Sequence, residues 1–193
     1  MEKLTQAQRS NRSKETILAA ARRQFAEHGY EATTIRAVAA DAHIHPSMVM
    51  RYYGDKRTLF NAATDLDLSL PDLTTVPAQD RGRVAVAHFL DLWEGPAADD
   101  LLRILLTSAA TNEVAAEQVR HILASQMQHM VATVSPEPDT AAARAGLIAT
   151  QILGLALCRY ILRVPPVAGL ERDTIIAMVG PVIQHYLSEP LNR

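Results

Sequence analysis

The sequence predicts an all-α protein of about nine helices, with a three-helix head at the N-terminus and a larger helical bundle behind it. Three observations carry that prediction. Apolar residues recur at helical spacing along the whole chain, and no alternating strand-like run interrupts them. Proline-bearing stretches, "PDLTTVPAQD" at 71–80, "PEPD" at 136–139 and "VPPVAG" at 164–169, cut the tail into helix-length pieces. Charge is uneven as well: residues 1–57 hold ten Lys/Arg against six Asp/Glu, a net of +4, and residues 58–193 hold nine against fifteen, a net of −6.

The elements follow in order. "SKETILAAARRQFAEHGY" places Ile17, Ala21 and Phe25 on one face, with Ser13 as the expected cap and Gly29 as the stop. "TTIRAVAADA" is a short second helix capped by Thr33 or Thr34, with Ile35, Val38 and Ala39 inward. A third helix is entered through Pro46, because proline suits the first helical position, and ends at Gly54-Asp55. A fourth, about 56–70, turns Leu59, Phe60, Ala63 and Leu66 inward and links head to body. The tail reads as helices at about 81–94, 98–110, 112–134, 139–163 and 171–188. Among them "LLRILLTSAA" is apolar nearly all round, as in a helix buried on every side. The expected functional division is 1–57 and 58–193.

Two short helices joined by a tight turn and braced by a preceding helix make a unit suited to the DNA major groove. Ile35, Val38 and Ala39 can meet Ile44, Val49 and Tyr53 across the turn, with Phe25 beneath. The face left over carries Ser47, Met48, Arg51 and Tyr52, and every lysine lies at or before Lys56. That is the charge arrangement of a polyanion-facing head on an acidic body.

The stretch "ILAAARRQFAEHGYEATTIRAVAADAHIHPSMVMRYYGDKRTLF" resembles the DNA-binding head of the tetracycline-repressor (TetR) family. The shared pattern is Phe-x-x-x-Gly-Tyr-x-x-Thr-Thr, a turn, a short recognition helix, an aromatic pair and Lys-x-x-Leu. The resemblance implies a cytoplasmic, homodimeric transcriptional regulator, most simply a repressor of a palindromic operator, released by a small-molecule effector bound in the C-terminal part. It implies phosphate contacts from Thr33 or Thr34, Tyr52 and Lys56, and a base contact from Arg36. It places Pro46, Ser47 and Met48 deepest in the groove beside Arg51, with Arg9, Arg12 and Lys14 reaching a neighbouring backbone. Three positions depart from the pattern: His43 stands for the usual turn glycine, His45 for a serine-like cap, and Met50 for a phosphate-binding tyrosine. His43 is expected in a left-handed conformation, and His45 either caps the recognition helix or contacts DNA.

Other chemistry finds little support. His43-x-His45 lacks the further ligands of a metal site, and the single Cys158 reads as a reduced, buried thiol. Glu113, Glu117 and His121 share a helical stripe without the Glu-x-x-His spacing of di-iron bundles, and read as a solvated face. No nucleophile elbow or phosphate loop is present, so no catalytic residue and no cofactor are expected. The opening "MEKLTQAQRS" lacks the apolar core of a signal peptide, and no uninterrupted apolar run suits a membrane span. For an effector pocket the candidates are His88, Trp93, Met127, Met130 and Gln151. For a dimer face they are Leu147, Leu155, Tyr160, Ile175, Val179, Ile183 and Tyr186, with intramolecular core the competing use. A helical protein-interaction module and a metal-dependent helical-bundle enzyme are the alternatives.

Overall fold

The computed structural model describes residues 5–95 and 100–191, and the regular elements among them are helical. In chain order they begin α1 (Gln6–Ala32), α2 (Ile35–Asp41), α3 (Pro46–Tyr53), α4 (Lys56–Ala63), α5 (Arg81–Glu94) and α6 (Asp100–Ala109). They continue as α7 (Glu113–Ile122), α8 (Gln128–Val134), α9 (Ala141–Ala156), α10 (Pro165–Ala168) and α11 (Arg172–Ser188). Wider π-turns, Leu123–Met127 and Leu157–Ile161, follow α7 and α9. Residues 98 and 99, where the sixth helix was expected to begin, lie outside the described residues. The chain packs as two compact units, Met1–Leu66 with Asp100–Gln118, and Asp67–Asp99 with Val119–Arg193.

In the first unit α1 starts two turns earlier than Ser13. The Thr5 hydroxyl accepts from the Gln8 N–H at 3.3 Å and Gln8 Oε1 accepts from the Thr5 N–H at 2.8 Å, a reciprocal capping box. Ser13 is therefore not the cap; it lies inside the helix and donates to the Arg9 carbonyl at 2.9 Å. Arg9, Arg12 and Lys14 consequently sit on a helix. Gly29 breaks that helix at φ 73°, and the Thr33 hydroxyl closes the break by facing the Gln24 and Gly29 carbonyls at 2.9 and 2.8 Å.

Ile17, Ala20, Ala21 and Phe25 of α1 are buried with Val38, Ala39, Val49, Leu59, Phe60 and Ala63. Phe60 meets both Phe25 and Tyr30 edge-on, with ring centroids 4.9 and 5.0 Å apart. Helix α6 packs on α1 through one face only. Leu101, Ile104 and Leu105 are buried, but Arg103 and Thr107 are exposed, so α6 is not enclosed on every side as expected. Polar ties join this segment to the head: Arg57 to Glu117 at 2.6 Å, Asn112 to Glu31 at 2.6 Å, and Gln118 to the Thr64 carbonyl at 3.3 Å.

The fourth helix ends at Ala63 rather than near 70. Beyond Thr64, Leu66, Leu68 and Leu70 alternate with Asp65, Asp67 and Ser69, a period of two that a helix cannot bury on one face. Ser69 adopts φ 45°.

The second unit is organised by α5 against α11. The two backbones approach so closely at Gly82 that a Cβ there would overlap the Gly180 carbonyl oxygen and lie 2.6 Å from the Gln184 nitrogen. Gln184 Oε1 accepts the Gly82 N–H at 2.9 Å, so the crossing is also bonded. Around it lie Val86, Phe89, Leu90, Ile175, Ile183 and Leu187, all buried. Arg144 of α9 is fully buried; its Nη1 donates to the Tyr186 and Glu189 carbonyls at 2.8 and 2.7 Å, and its Nε to Thr140 Oγ1 at 2.6 Å. Those carbonyls belong to the end of α11, where unpaired acceptors and the helix dipole favour a cation.

The continuous helical run Pro138–Ile161 is the one described segment long and apolar enough to cross a membrane. Within it Arg144, Ala145, Ile148 and Ala149 are buried, and α9 packs on α8 and α11.

Because the two nearest atoms facing Gly82 are backbone and the third is the Gln184 Cβ, which is fixed to it, the crossing cannot yield by a side-chain rotation. Gly82→Ala is expected to lower stability by about 2 kcal/mol or more, read as a shift in the chemical-denaturation midpoint. An unchanged midpoint would show that α5 and α11 are not in contact there.

Candidate nucleic-acid interface

Local bonding at residues 34–56 shapes the surface. The Thr34 hydroxyl caps α2 by accepting the Ala37 N–H at 3.1 Å. Helix α2 closes with the His43 N–H on the Ala40 carbonyl at 3.1 Å and the Ile44 N–H on the Ala39 carbonyl at 2.9 Å. That is the Schellman pattern, and its left-handed residue is His43 at φ 54°. The chain thereby reverses within three residues and enters α3 through Pro46, the first helical position.

His45 is the cap of α3. Its Nδ1 accepts the Ser47 N–H at 3.3 Å and lies 2.8 Å from Ser47 Oγ. An amide nitrogen can only donate, so Nδ1 must be the acceptor, and the capped ring is the neutral tautomer with its proton on Nε2. The Ser47 hydroxyl then donates to the same Nδ1.

Both tyrosines of α3 lean on α1. Tyr53 lies 3.4 Å from the Lys14 carbonyl, and burial pushes its phenol up. Tyr52 accepts a hydrogen bond from the Ser10 hydroxyl at 3.3 Å, and this contact, then the Arg51 guanidinium, holds its phenol below the ordinary value. The Tyr52 ring also lies under Arg51 at 5.3 Å and Lys14 at 5.7 Å. With Ser10 as donor, the Tyr52 proton remains free for an outside acceptor.

Asp55 caps α4 by accepting the Thr58 N–H at 2.7 Å, a bond that holds its carboxyl below the usual range. Lys56 Nζ donates to the Glu31 carbonyl at 3.1 Å and lies 4.4 Å over the Tyr30 ring, so its charge is held at a set place at the start of α4. Arg36 and Arg51 are exposed, and neither makes an ion pair among the described residues.

Comparisons with known proteins bear on this geometry. Residues 17–63 match the profile of bacterial regulatory proteins of the tetR family, and residues 79–187 match the tetracyclin repressor-like C-terminal domain. The chain belongs to the TetR family. A TetR-family regulator from Streptomyces coelicolor A3 shares 27% identity with this chain over 92% of it and 95% of the other, with a TM-score of 0.59. NalD, the secondary repressor of the MexAB-OprM multidrug efflux pump in Pseudomonas aeruginosa, shares the fold at 20% identity, TM-score 0.65, over 94% and 100% of the two chains. So does the fatty acid degradation regulator FadR from Bacillus halodurans, at 14% identity, TM-score 0.62, over 92% and 99%. No curated protein matches the chain by sequence. TetR regulators bind DNA through the helix-turn-helix, form dimers and bind small-molecule effectors in the C-terminal domain.

Within this regulator the expected DNA-facing residues fall into two groups. Thr34, Arg36, His45, Ser47 and Arg51 are exposed, while Pro46, Met48, Tyr52 and Lys56 are half-buried at the same surface. Thr33 is only 1% exposed and its hydroxyl is engaged inside the head, which leaves Thr34 as the available hydroxyl of the pair. Ser10 was not anticipated; its place one helix away from Tyr52 follows only from packing.

The tail candidates are placed differently from expectation. Ile175 and Ile183 are fully buried in the chain's own core and cannot face a partner, which corrects their assignment to a dimer face. Tyr160 stacks on Trp93 at 4.7 Å and donates to Glu94 Oε1 at 2.8 Å, so one dimer candidate and one pocket candidate form a single internal cluster with Phe89. Leu147, Leu155, Val179 and Tyr186 are half-buried. Met127 and Met130 are buried, Gln151 is exposed, and His88 Nε2 bonds the Leu68 carbonyl at 2.8 Å. Glu113, Glu117 and His121 are exposed.

The free Tyr52 proton yields a test. Tyr52→Phe is expected to leave the melting temperature unchanged and weaken DNA binding about tenfold, measured by fluorescence anisotropy, because a hydroxyl-to-phosphate bond is charge-assisted. Unchanged affinity would remove Tyr52 from the interface.

Proposed function

We propose that this protein is a homodimeric repressor whose α2–α3 surfaces enter successive major grooves of a two-fold operator, and that a small molecule bound in the C-terminal part releases it. The observation that carries the proposal is the concentration of donors on one surface: the exposed Arg36 and Arg51, which make no ion pair among the described residues, flanked by Thr34, Tyr52 and Lys56. Guanidinium groups suit the paired acceptors of guanine, and hydroxyl and ammonium groups suit phosphate. Residues 1–57 carry the DNA contacts, and residues 58–193 carry dimerisation and effector binding.

A single eight-residue recognition helix covers few base pairs, which favours two heads on one site. The outer face of α11 supports pairing, since Met178 is 70% exposed with Val182 beside it. On α9, Gly146 and Gly154 leave open space where a second helix can come close. Leu147, Leu155, Val179 and Tyr186 border these faces.

For the effector, the buried Met127 and Met130 are the adaptable apolar candidates, and His88 and Trp93 the polar-edged ones. Leu68, five residues beyond the end of α4, is held through both of its backbone polar groups: its N–H donates to Gln126 Oε1 at 2.8 Å and its carbonyl lies 2.8 Å from His88 Nε2. A ligand that binds one arrangement of His88 and the Leu123–Met127 turn better than another would shift the equilibrium felt at Leu68.

The test uses DNA flanking the protein's own gene at two salt concentrations. Wild-type binding should fall steeply with salt, as phosphate contacts require. Arg36→Ala and Arg51→Ala should each cost about 1–3 kcal/mol and flatten sequence preference, whereas Lys56→Ala should weaken all DNA alike. Intact discrimination in both arginine variants would overturn the groove assignment. The absence of a salt slope would favour a protein-interaction module.

A further inference from the structure

We infer that Asn112 is a positioning residue for DNA binding: it holds the Glu31 carboxylate off Lys56, which leaves the ammonium charge for phosphate. This rests on the DNA-binding proposal above and concerns one of its contacts, at the start of α4.

Glu31 faces Lys56 with two acceptors. Its backbone carbonyl accepts from Lys56 Nζ at 3.1 Å. Its carboxylate makes no ion pair among the described residues. A carboxylate is the stronger acceptor for an ammonium, because the bond is charge-assisted. Only Cα, Cβ and Cγ separate the two groups, so a side-chain rotation brings the carboxylate to the same ammonium.

Asn112, in the turn between α6 and α7, keeps the carboxylate elsewhere. Its Nδ2 donates to Glu31 Oε1 at 2.6 Å. The far end of the amide fixes its orientation: Oδ1 accepts the Ala115 N–H at 3.1 Å and so caps α7. An amide that accepts there must present its NH2 to Glu31. The Asn112 backbone is pinned too, its N–H on the Ser108 carbonyl at 2.9 Å and its carbonyl under the Ala116 N–H at 3.0 Å.

The consequence is electrostatic. Lys56 is aimed by two groups without net charge, the Glu31 carbonyl and the Tyr30 ring at 4.4 Å. They orient the ammonium and leave its charge intact. Paired with the carboxylate, the same side chain would bring DNA an ion pair of zero net charge, which a phosphate would first have to break. The adjacent Arg57 illustrates that committed state, with its guanidinium on Glu117 at 2.6 Å.

The experiment is fluorescence anisotropy of the full chain on DNA flanking its own gene, at about 0.1 M salt, where the screening length is about 10 Å. Asn112→Ser keeps a capping hydroxyl and removes the amide donor, so the melting temperature should hold. Affinity should fall roughly two- to fivefold for each head engaged, the range of one exposed ion pair. Two backgrounds identify the cause. With Glu31→Gln no carboxylate is left to capture Lys56, and with Lys56→Ala nothing is left to capture. In each, adding Asn112→Ser should cost less than about 1.5-fold. Should Asn112→Ser lower the melting temperature, Asn112→Thr, which also caps, passes through the same backgrounds. No loss from Asn112→Ser in the wild-type background, or undiminished binding by Lys56→Ala alone, would overturn the inference. Salt-dependent binding with the same Asn112→Ser loss in every background sinks the positioning role alone. Absence of salt-dependent binding sinks the DNA reading and this role together.

Discussion

Phe60 driven edge-on between Phe25 and Tyr30 is the contact on which the head depends. It joins the start of the link out of the head to the long first helix, and both phenylalanines are buried. With α1 and α4 fixed, Val38, Ala39 and Val49 have one hydrophobic surface to cover, and they cover it by turning the opposite faces of α2 and α3 outward. The exposed donors are thus a product of core packing. The same aromatic group reaches the surface through Tyr30, whose ring lies under the Lys56 ammonium at 4.4 Å. A change that loosens Phe60 would disturb the reading face without touching any residue on it.

The turn between α2 and α3 adds a second constraint. A left-handed residue at position 43 is required by the paired bonds to Ala39 and Ala40, and histidine occupies it without glycine's freedom. Position 45 must satisfy an orphan N–H at the start of α3, and its imidazole does so through a nitrogen that serine would replace with oxygen. The two departures from the family pattern therefore keep its backbone and change the chemistry offered outward.

Much of the head was legible in the sequence because its determinants are local: threonine, proline, glycine and aspartate at turn and cap positions, with apolar residues at helical spacing. Where legibility failed, the cause is specific. The capping box at Thr5 and Gln8 lies in a polar stretch with no periodicity to mark a helix behind it. The end of α4 was marked, since Leu66, Leu68 and Leu70 change period from 3.6 to two, but the apolar content masked the change. In the tail, periodicity identifies an apolar stripe without saying what covers it, so Ile175 and Ile183 belong to the core while Met178 stays exposed. The Gly82–Gly180 approach and the buried Arg144 depend on residues far apart in the chain, and no local pattern announces either. The site residues on the head were readable as a set; the internal tautomer of His45 needed coordinates.

The central claim is that two copies of one exposed surface engage a two-fold DNA site. Hydroxyl-radical footprinting of the full chain on the DNA flanking its own gene tests this most directly. Two protected backbone segments are expected, related by a two-fold axis and centred about one helical turn, or a multiple of it, apart. A single unpaired protected segment, or uniform cleavage at low salt, would contradict it.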